Sequence, residues 1–284
     1  MGVSANRPLF YNIHPIGYPV STHFTMYEHL LYEVTDGVAH ITLNRPQVHN
    51  ALSPDLIQEI TRAVQSAEAD ALVRVVLLTG AGDKAFCSGA DLKAGLGDAS
   101  SMGEALRSRY NPMIMALRNI PKPVVCRLNG LATGAGCSLA LACDVIIMSS
   151  EAYLSQIFVN IGLMPDAGST FFLPRLVGSA RAFELASTGR RVYGPEAVQM
   201  GLAQRAVSSP ELDAAVGEIL TYYRHAPTRA IGLMKQTLNR SLSLDLETML
   251  NHEAEGQDQL SETRDAGEGI MAFLQKRPPE YQGV

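Results

Sequence analysis

Residues 124–148 read VVCRLNGLATGAGCSLALACDVIIM. Val124 to Leu128 is an apolar run of strand length, and Asn129-Gly130 ends it. Ala135 to Ala142 is a helix built from small residues, and Val145 to Met148 is the next strand. A strand, a glycine-rich turn, a helix and a second strand within 25 residues describe an α/β unit. The same unit appears upstream. Val73 to Leu78 is a continuous apolar strand that stops at Thr79-Gly80. A helical segment follows from about Met102 to Asn119, and Pro121-Lys122-Pro123 breaks it. Earlier still, Ser53 caps a helix that runs to Glu68, with Pro54 in its first turn and Leu56, Ile60, Ala63 and Val64 on one face. Leu31 to Glu33 and Ala39 to Leu43 alternate around Asp36-Gly37, which predicts a hairpin. After Gly178 the strand signal nearly vanishes. Segments 180–188, 195–201, 212–225, 229–242 and a long stretch at about 245–274 read as helix.

Composition narrows the function. Of the 284 residues 46% are hydrophobic and 18% charged, so a sizeable core forms and no charge run argues for disorder. The net charge of −5 lacks the basic stripe of a nucleic-acid binder. Cys87, Cys126, Cys137 and Cys143 form no C-x-x-C pair and have no histidine cluster nearby, which speaks against a zinc site or a disulfide scaffold. Reduced cysteines and the lack of a secretory pattern or an 18-residue apolar run fit a cytoplasmic protein. Residues 1–25 show no periodicity and read as an extension outside the main fold; Met26 stands just before the first credible strand. A core at 26–200 and a helical region at 201–284 follow, with no linker between them.

Two segments carry candidate chemistry. Residues 85–93, AFCSGADLK, come after a buried strand and pass through Ser88 and Gly89 to Ala90, and Asp91-Leu92-Lys93 begins a turn of helix. Gly89 admits close backbone approach, and amides at a helix start favour negative charge. An ordinary strand-to-helix loop explains the segment equally well. In residues 129–138, NGLATGAGCS, a strand again feeds a helix through Gly134 and Ala135. Tight helix–sheet packing would demand the same small residues. The G-x-x-x-x-G-K-[ST] pattern is absent, so this is no nucleotide phosphate loop. Two such turns side by side could aim two N–H donors at one oxygen.

Taken in order, Asn44-Arg45-Pro46, Asn50-Ala51-Leu52, Phe86 to Leu92, Pro121-Lys122-Pro123, Asn129-Gly130 to Gly136 and Cys143-Asp144 resemble the crotonase superfamily over residues 30–284. The resemblance implies a ClpP-like spiral of ββα units with a helical C-terminal trimerisation region, hence a homotrimer or hexamer. It implies an acyl-CoA substrate, coenzyme A entering as part of that substrate with no tightly bound cofactor, no metal, and neither a membrane nor a nucleic-acid partner. The family's oxyanion hole falls on the amides of Ala90 and Ala135. Its substrate and CoA contacts fall on Arg45, Ala51, Ser88, Ala90, Asp91, Leu92, Lys93, Gly134, Ala135 and Phe158, with Phe273 and Lys276 on the C-terminal helix that can reach a neighbouring subunit's CoA. Met102 to Met115 shapes the acyl pocket.

The resemblance also shows a departure. Hydratases of the family clamp a water between two glutamates, and those positions hold Ser138 and Phe158 here. The run from Ile161 to Gly178, together with Tyr110-Asn111-Pro112, resembles the ring-1,2-epoxyphenylacetyl-CoA isomerase and enoyl-CoA isomerase subgroup, in which the aspartate at Asp166 is the acid/base. Locally, Asp166 also suits a turn or helix cap after Pro165. Isomerisation through an enolate is the leading expectation. A hydratase or dehydratase with unusual groups, an Asp166 nucleophile as in dehalogenases or hydrolases, and a CoA- or RNA-binding scaffold are the alternatives.

Overall fold

The structure is a computed structural model and describes residues 23–284. Strands β1 (His23–Met26), β2 (Leu30–Thr35) and β3 (Val38–Leu43) form an antiparallel meander, with Asp36 and Gly37 both left-handed in the turn between β2 and β3. The boundary expected at residue 26 therefore moves: residues 23–25 belong to the sheet, and the remainder of the expected extension lies outside the described residues. Helix α1 (Pro54–Ala69) starts where Ser53 Oγ accepts the amide of Leu56, and buries Leu56, Ile57, Ile60, Ala63 and Val64. Then come β4 (Val75–Gly80), β5 (Ala85–Cys87), α2 (Met102–Ala105) and α3 (Asn111–Asn119), with a five-residue π-turn at Leu106–Tyr110 joining the two helices.

The quoted stretch becomes β6 (Val124–Leu128), β7 (Leu131–Thr133), α4 (Ala135–Leu141) and β8 (Val145–Ser149). Beyond it lie β9 (Tyr153–Ser155), α5 (Ser169–Val177), α6 (Ser179–Thr188), β10 (Val192–Tyr193), α7 (Gly194–Met200) and β11 (Arg205–Val207). The chain continues through α8 (Leu212–Arg224), α9 (Thr228–Arg240), α10 (Leu246–Ser261) and α11 (Arg264–Gln275). The long stretch read as one helix is two. Thr263 interrupts it and caps α11 by accepting the amide of Ala266.

Among the described residues a seven-stranded sheet runs β1-β2-β3-β4-β6-β8-β11, parallel from β3 onward. A four-stranded sheet runs β10-β9-β7-β5. The larger sheet is covered on both faces, so β4 is apolar at every early position. Val76 and Leu78 face the main core with α1 and α4 residues, whereas Val75 and Leu77 face Leu212, Ala215, Val216 and Leu220 of α8. An ion cluster fastens α9 to this sheet. Lys235 Nζ lies 2.7 Å from Asp144 Oδ2 and donates to Leu117 O, while Asp144 also meets Arg118 and accepts the amide of Val124. Among the described residues no helix is long and apolar enough to cross a membrane.

Candidate active site

Strands β5 and β7 are parallel neighbours, so the turns that leave them lie side by side. Thr133 Oγ1 donates to Ser88 O at 2.9 Å and links the two turns. Gly89 sits at φ +99°, where a Cβ would fall 2.8 Å from Thr133 O. Gly136 is still more constrained, since a Cβ there would come within 2.2 Å of Cys87 O. Only glycine permits this approach, which brings the start of α4 against the turn after β5.

Ala90 and Leu52 form an isolated parallel bridge. Leu52 donates to Gly89 O at 2.8 Å and accepts from Asp91 N at 3.0 Å. That pairing turns the N–H of Ala90 to the opposite side, toward the cavity that Ala90 lines. Ala135 is the first residue of α4, where backbone amides lack intrahelical acceptors, and it lines the same cavity. Two orphan donors thus flank one space. One expectation is corrected here. Asp91-Leu92-Lys93 does not start a helix, because Asp91 Oδ1 accepts the amides of Lys93 and Ala94 and folds 91–98 into successive turns. Among the two donors only Ala135 gains from a helix dipole.

The cavity measures about 350 Å³. Ile57, Leu92, Leu96, Met102, Leu106 and Ile161 give it an apolar wall; of the segment 102–115 expected to shape the acyl pocket, residues between Met102 and Tyr110 line it and residues 111–115 do not. Arg109 is buried in the π-turn, donates to Leu96 O at 2.8 Å and pairs with Asp98, so it fastens the 91–98 turns over that wall.

Two carboxyl groups line the cavity, and their surroundings separate them. Burial raises Asp91, but hydrogen bonds from Arg45 and the amides of Ala94 and Lys93 outweigh it and hold the group below its ordinary range. Burial alone pushes Asp166 up to about 6, and its buried Oδ1 has no hydrogen-bond partner among the described residues. Tyr110 also lines the cavity, and its phenol is raised, first by burial and then by the nearby Asp166 carboxylate. Asp166 owes its place to a sharp turn. Ala167 (φ +47°) and Gly168 (φ +87°) are both left-handed, and Asp166 O accepts the amide of Ser169 at the start of α5.

Two residues stand where the family resemblance would put the hydratase carboxylates. Phe158 is buried and lines the cavity near Gly134, and Ser138 is fully buried outside it. Of the other expected contacts, Ser88, Leu92 and Gly134 line the cavity, whereas Arg45, Ala51, Lys93, Phe273 and Lys276 do not. Arg45 is spent within the fold, on Asp91 at 2.9 Å and Ala51 O at 2.6 Å. Lys93 and Phe273 are exposed. The sequence reading gave Asn50 no role of its own. It is wholly buried, donates to Ala85 O and Ala81 O, and accepts from Arg45 N, so it holds the turn before α1 against β5. His49 accepts the Ser88 amide through its carbonyl. Among the described residues no group of His, Cys, Asp and Glu gathers to hold a metal ion.

The chain that builds this site is similar to known proteins. The sequence model of the enoyl-CoA hydratase/isomerase family matches residues 33–284. A probable enoyl-CoA hydratase of Rhodobacter capsulatus is 40% identical over 90% of this chain and 99% of its own. The 1,2-epoxyphenylacetyl-CoA isomerase of Escherichia coli is 36% identical over 91% of this chain and all of its own. The crystal structure of an enoyl-CoA hydratase from Bacillus anthracis superposes with a TM-score of 0.85 at 35% identity, covering 90% of this chain and 100% of that one. The chain belongs to the enoyl-CoA hydratase/isomerase family, the crotonase superfamily of enzymes acting on acyl-CoA thioesters.

Proposed function

We propose that the protein isomerises an unsaturated or ring-containing acyl-CoA, with Asp166 as its acid/base. The observation that carries this reading is the single basic carboxylate. Asp166 is desolvated and unpartnered, Asp91 is neutralised by Arg45, and Ser138 and Phe158 leave nothing to clamp a water. The thioester oxygen accepts from the Ala90 and Ala135 amides. Asp166 takes a proton from one carbon, the electron pair moves into the enolate, and the same carboxyl group returns the proton at another carbon. Preorganised amides stabilise the enolate because they need no reorientation as charge develops; losing one such donor typically costs about 100- to 1,000-fold. A carboxyl group with a pKa of about 6 gives and takes a proton readily near neutrality. Coenzyme A enters as part of the substrate, and no separate cofactor is needed for this chemistry.

The test is incubation with a panel of enoyl-CoAs in D₂O, read by mass spectrometry. Deuterium exchange and double-bond migration are expected, and Asp166→Asn should lower both by about 100- to 10,000-fold. Hydration of crotonyl-CoA faster than about 10 per second, in the range of ordinary enzymes, would overturn the assignment. So would an Asn variant active within a few-fold of the parent.

A further inference from the structure

Ser138 is buried in the middle of α4 and faces neither solvent nor the cavity, yet its hydroxyl is part of a chain of polar groups that ends on Asp166. Its Oγ lies 2.9 Å from Asp166 O, 3.3 Å from Gly134 O and 2.7 Å from Ser169 Oγ. Gln156 Nε2 in turn donates to Ser169 Oγ at 2.8 Å. Ser138, Ser169 and Gln156 are at most 3% exposed. The direction of the chain follows from what each atom can do. Ser138 has one hydroxyl hydrogen, and of its two carbonyl neighbours Asp166 O at 2.9 Å is nearer than Gly134 O at 3.3 Å, so that hydrogen is assigned to Asp166 O. Ser169 must then be the donor to Ser138, with its own oxygen accepting from Gln156. The chain therefore runs from Gln156 through Ser169 and Ser138 to the backbone of the very residue that carries the base.

The backbone at that point is also under local strain. Asp166 is followed by two left-handed residues, one of them Ala167, a conformation that costs free energy unless its surroundings hold it. The carboxylate itself contributes nothing to its own placement, because Oδ1 has no partner among the described residues. Only the carbonyl of Asp166 is gripped, by Ser138 Oγ and by Ser169 N. Gly134 O belongs to the residue just before the oxyanion donor Ala135, and Ser138 N also donates to it at 3.1 Å. By donating to Asp166 O, the Ser138 hydroxyl ties α4, whose first residue is Ala135, to the turn that supplies the base.

From this geometry we infer that Ser138, backed by Ser169 and Gln156, is the positioning residue that aims Asp166 into the cavity and fixes its distance from the Ala135 amide. Where a hydratase would place a catalytic glutamate, this chain uses the same helical position to hold a different acid/base from behind. The inference rests on the reading of Asp166 as the acid/base.

Four variants separate the possibilities, each read by kcat, KM and the pH dependence of deuterium exchange. Ser138→Ala and Ser169→Ala should lower kcat by about 10- to 100-fold, the usual effect of a small misplacement of a reacting group, with KM within about twofold. A slackened turn lets water reach the carboxylate, so the acid limb of the profile should move down by about one pH unit. Ser138→Cys, which keeps a weak donor, should fall between. Ser149→Ala removes an equally buried hydroxyl, paired with Ser209 at 2.7 Å away from the cavity, and should change neither kcat nor the limb. Folded Ser138 and Ser169 variants with the parent's kcat and acid limb would overturn the positioning role even if their melting temperatures drop. A normally active Asp166→Asn protein would instead overturn the reading beneath it.

Discussion

At the scale of the residue, Asp166 trades stability for reactivity. Its folded-state pKa of about 6 lies above the ordinary 3.8, so the folded protein holds this proton more tightly than the unfolded chain does. The stability gained from the protonated form is fully present below about pH 4 and is lost as the pH rises through 6. At neutral pH the ionised group is therefore a burden of on the order of 1–2 kcal/mol, after allowing for its partial contact with water. Asp166→Asn removes the charge and keeps the shape. In urea unfolding at pH 8 the Asn variant should be more stable than the parent by about that amount, and the difference should disappear near pH 4. A variant less stable than the parent at pH 8 would mean that the carboxylate has a stabilising partner.

At the scale of the element, the site depends on how closely α4 rides on the turn after β5. Gly136→Ala places a methyl 2.2 Å from Cys87 O, and the helix must move away. That movement separates the Ala90 and Ala135 amides. Turnover should fall by at least about 100-fold, the effect of losing one oxyanion donor, and the denaturation midpoint should drop; kinetics with chemical denaturation of the same sample checks both. Unchanged turnover would show that the spacing of the two turns is not critical. The strands of the large sheet and α1, α3 and α4 were legible because apolar periodicity and breakers such as Pro121 and Pro123 mark them. The second sheet was not, since β5, β7, β9 and β10 have two or three residues each and offer no alternation to read. The break at Thr263 hid inside a long helix-favouring stretch, though Thr263 and Asp265 are a cap and a first-turn acid in hindsight. In the site, Ala90, Ala135 and Asp166 came from motif order rather than from any local signal. The resemblance put Arg45 among the CoA contacts, and nothing local signals its ion pair, because its partner Asp91 lies 46 positions away. The hydroxyl chain behind Asp166 was equally invisible, because Ser138, Gln156 and Ser169 meet only through tertiary packing.

At the scale of the whole molecule, the C-terminal third exposes several large apolar side chains. Leu238, Leu242 and Leu246 are 64%, 69% and 74% exposed, and Phe273 reaches 83%. Exposed apolar side chains of this kind are available for an interface, and we expect the trimer or paired-trimer assembly implied by the family resemblance. Light scattering should return a multiple of the 30.6 kDa chain mass; a single 30.6 kDa species at micromolar concentration would refute it. The same helices are moored by the pairing of Lys235 with Asp144, and that pairing has a schedule. A ribosome makes Asp144 first and needs roughly 5–20 s, at ordinary rates of synthesis, to deliver Lys235. Through that interval Asp144 can already receive the Val124 amide and Arg118, but its ammonium partner does not yet exist. The described strands all precede residue 208 and can assemble in advance, and Lys235 on arrival fastens α9 onto them.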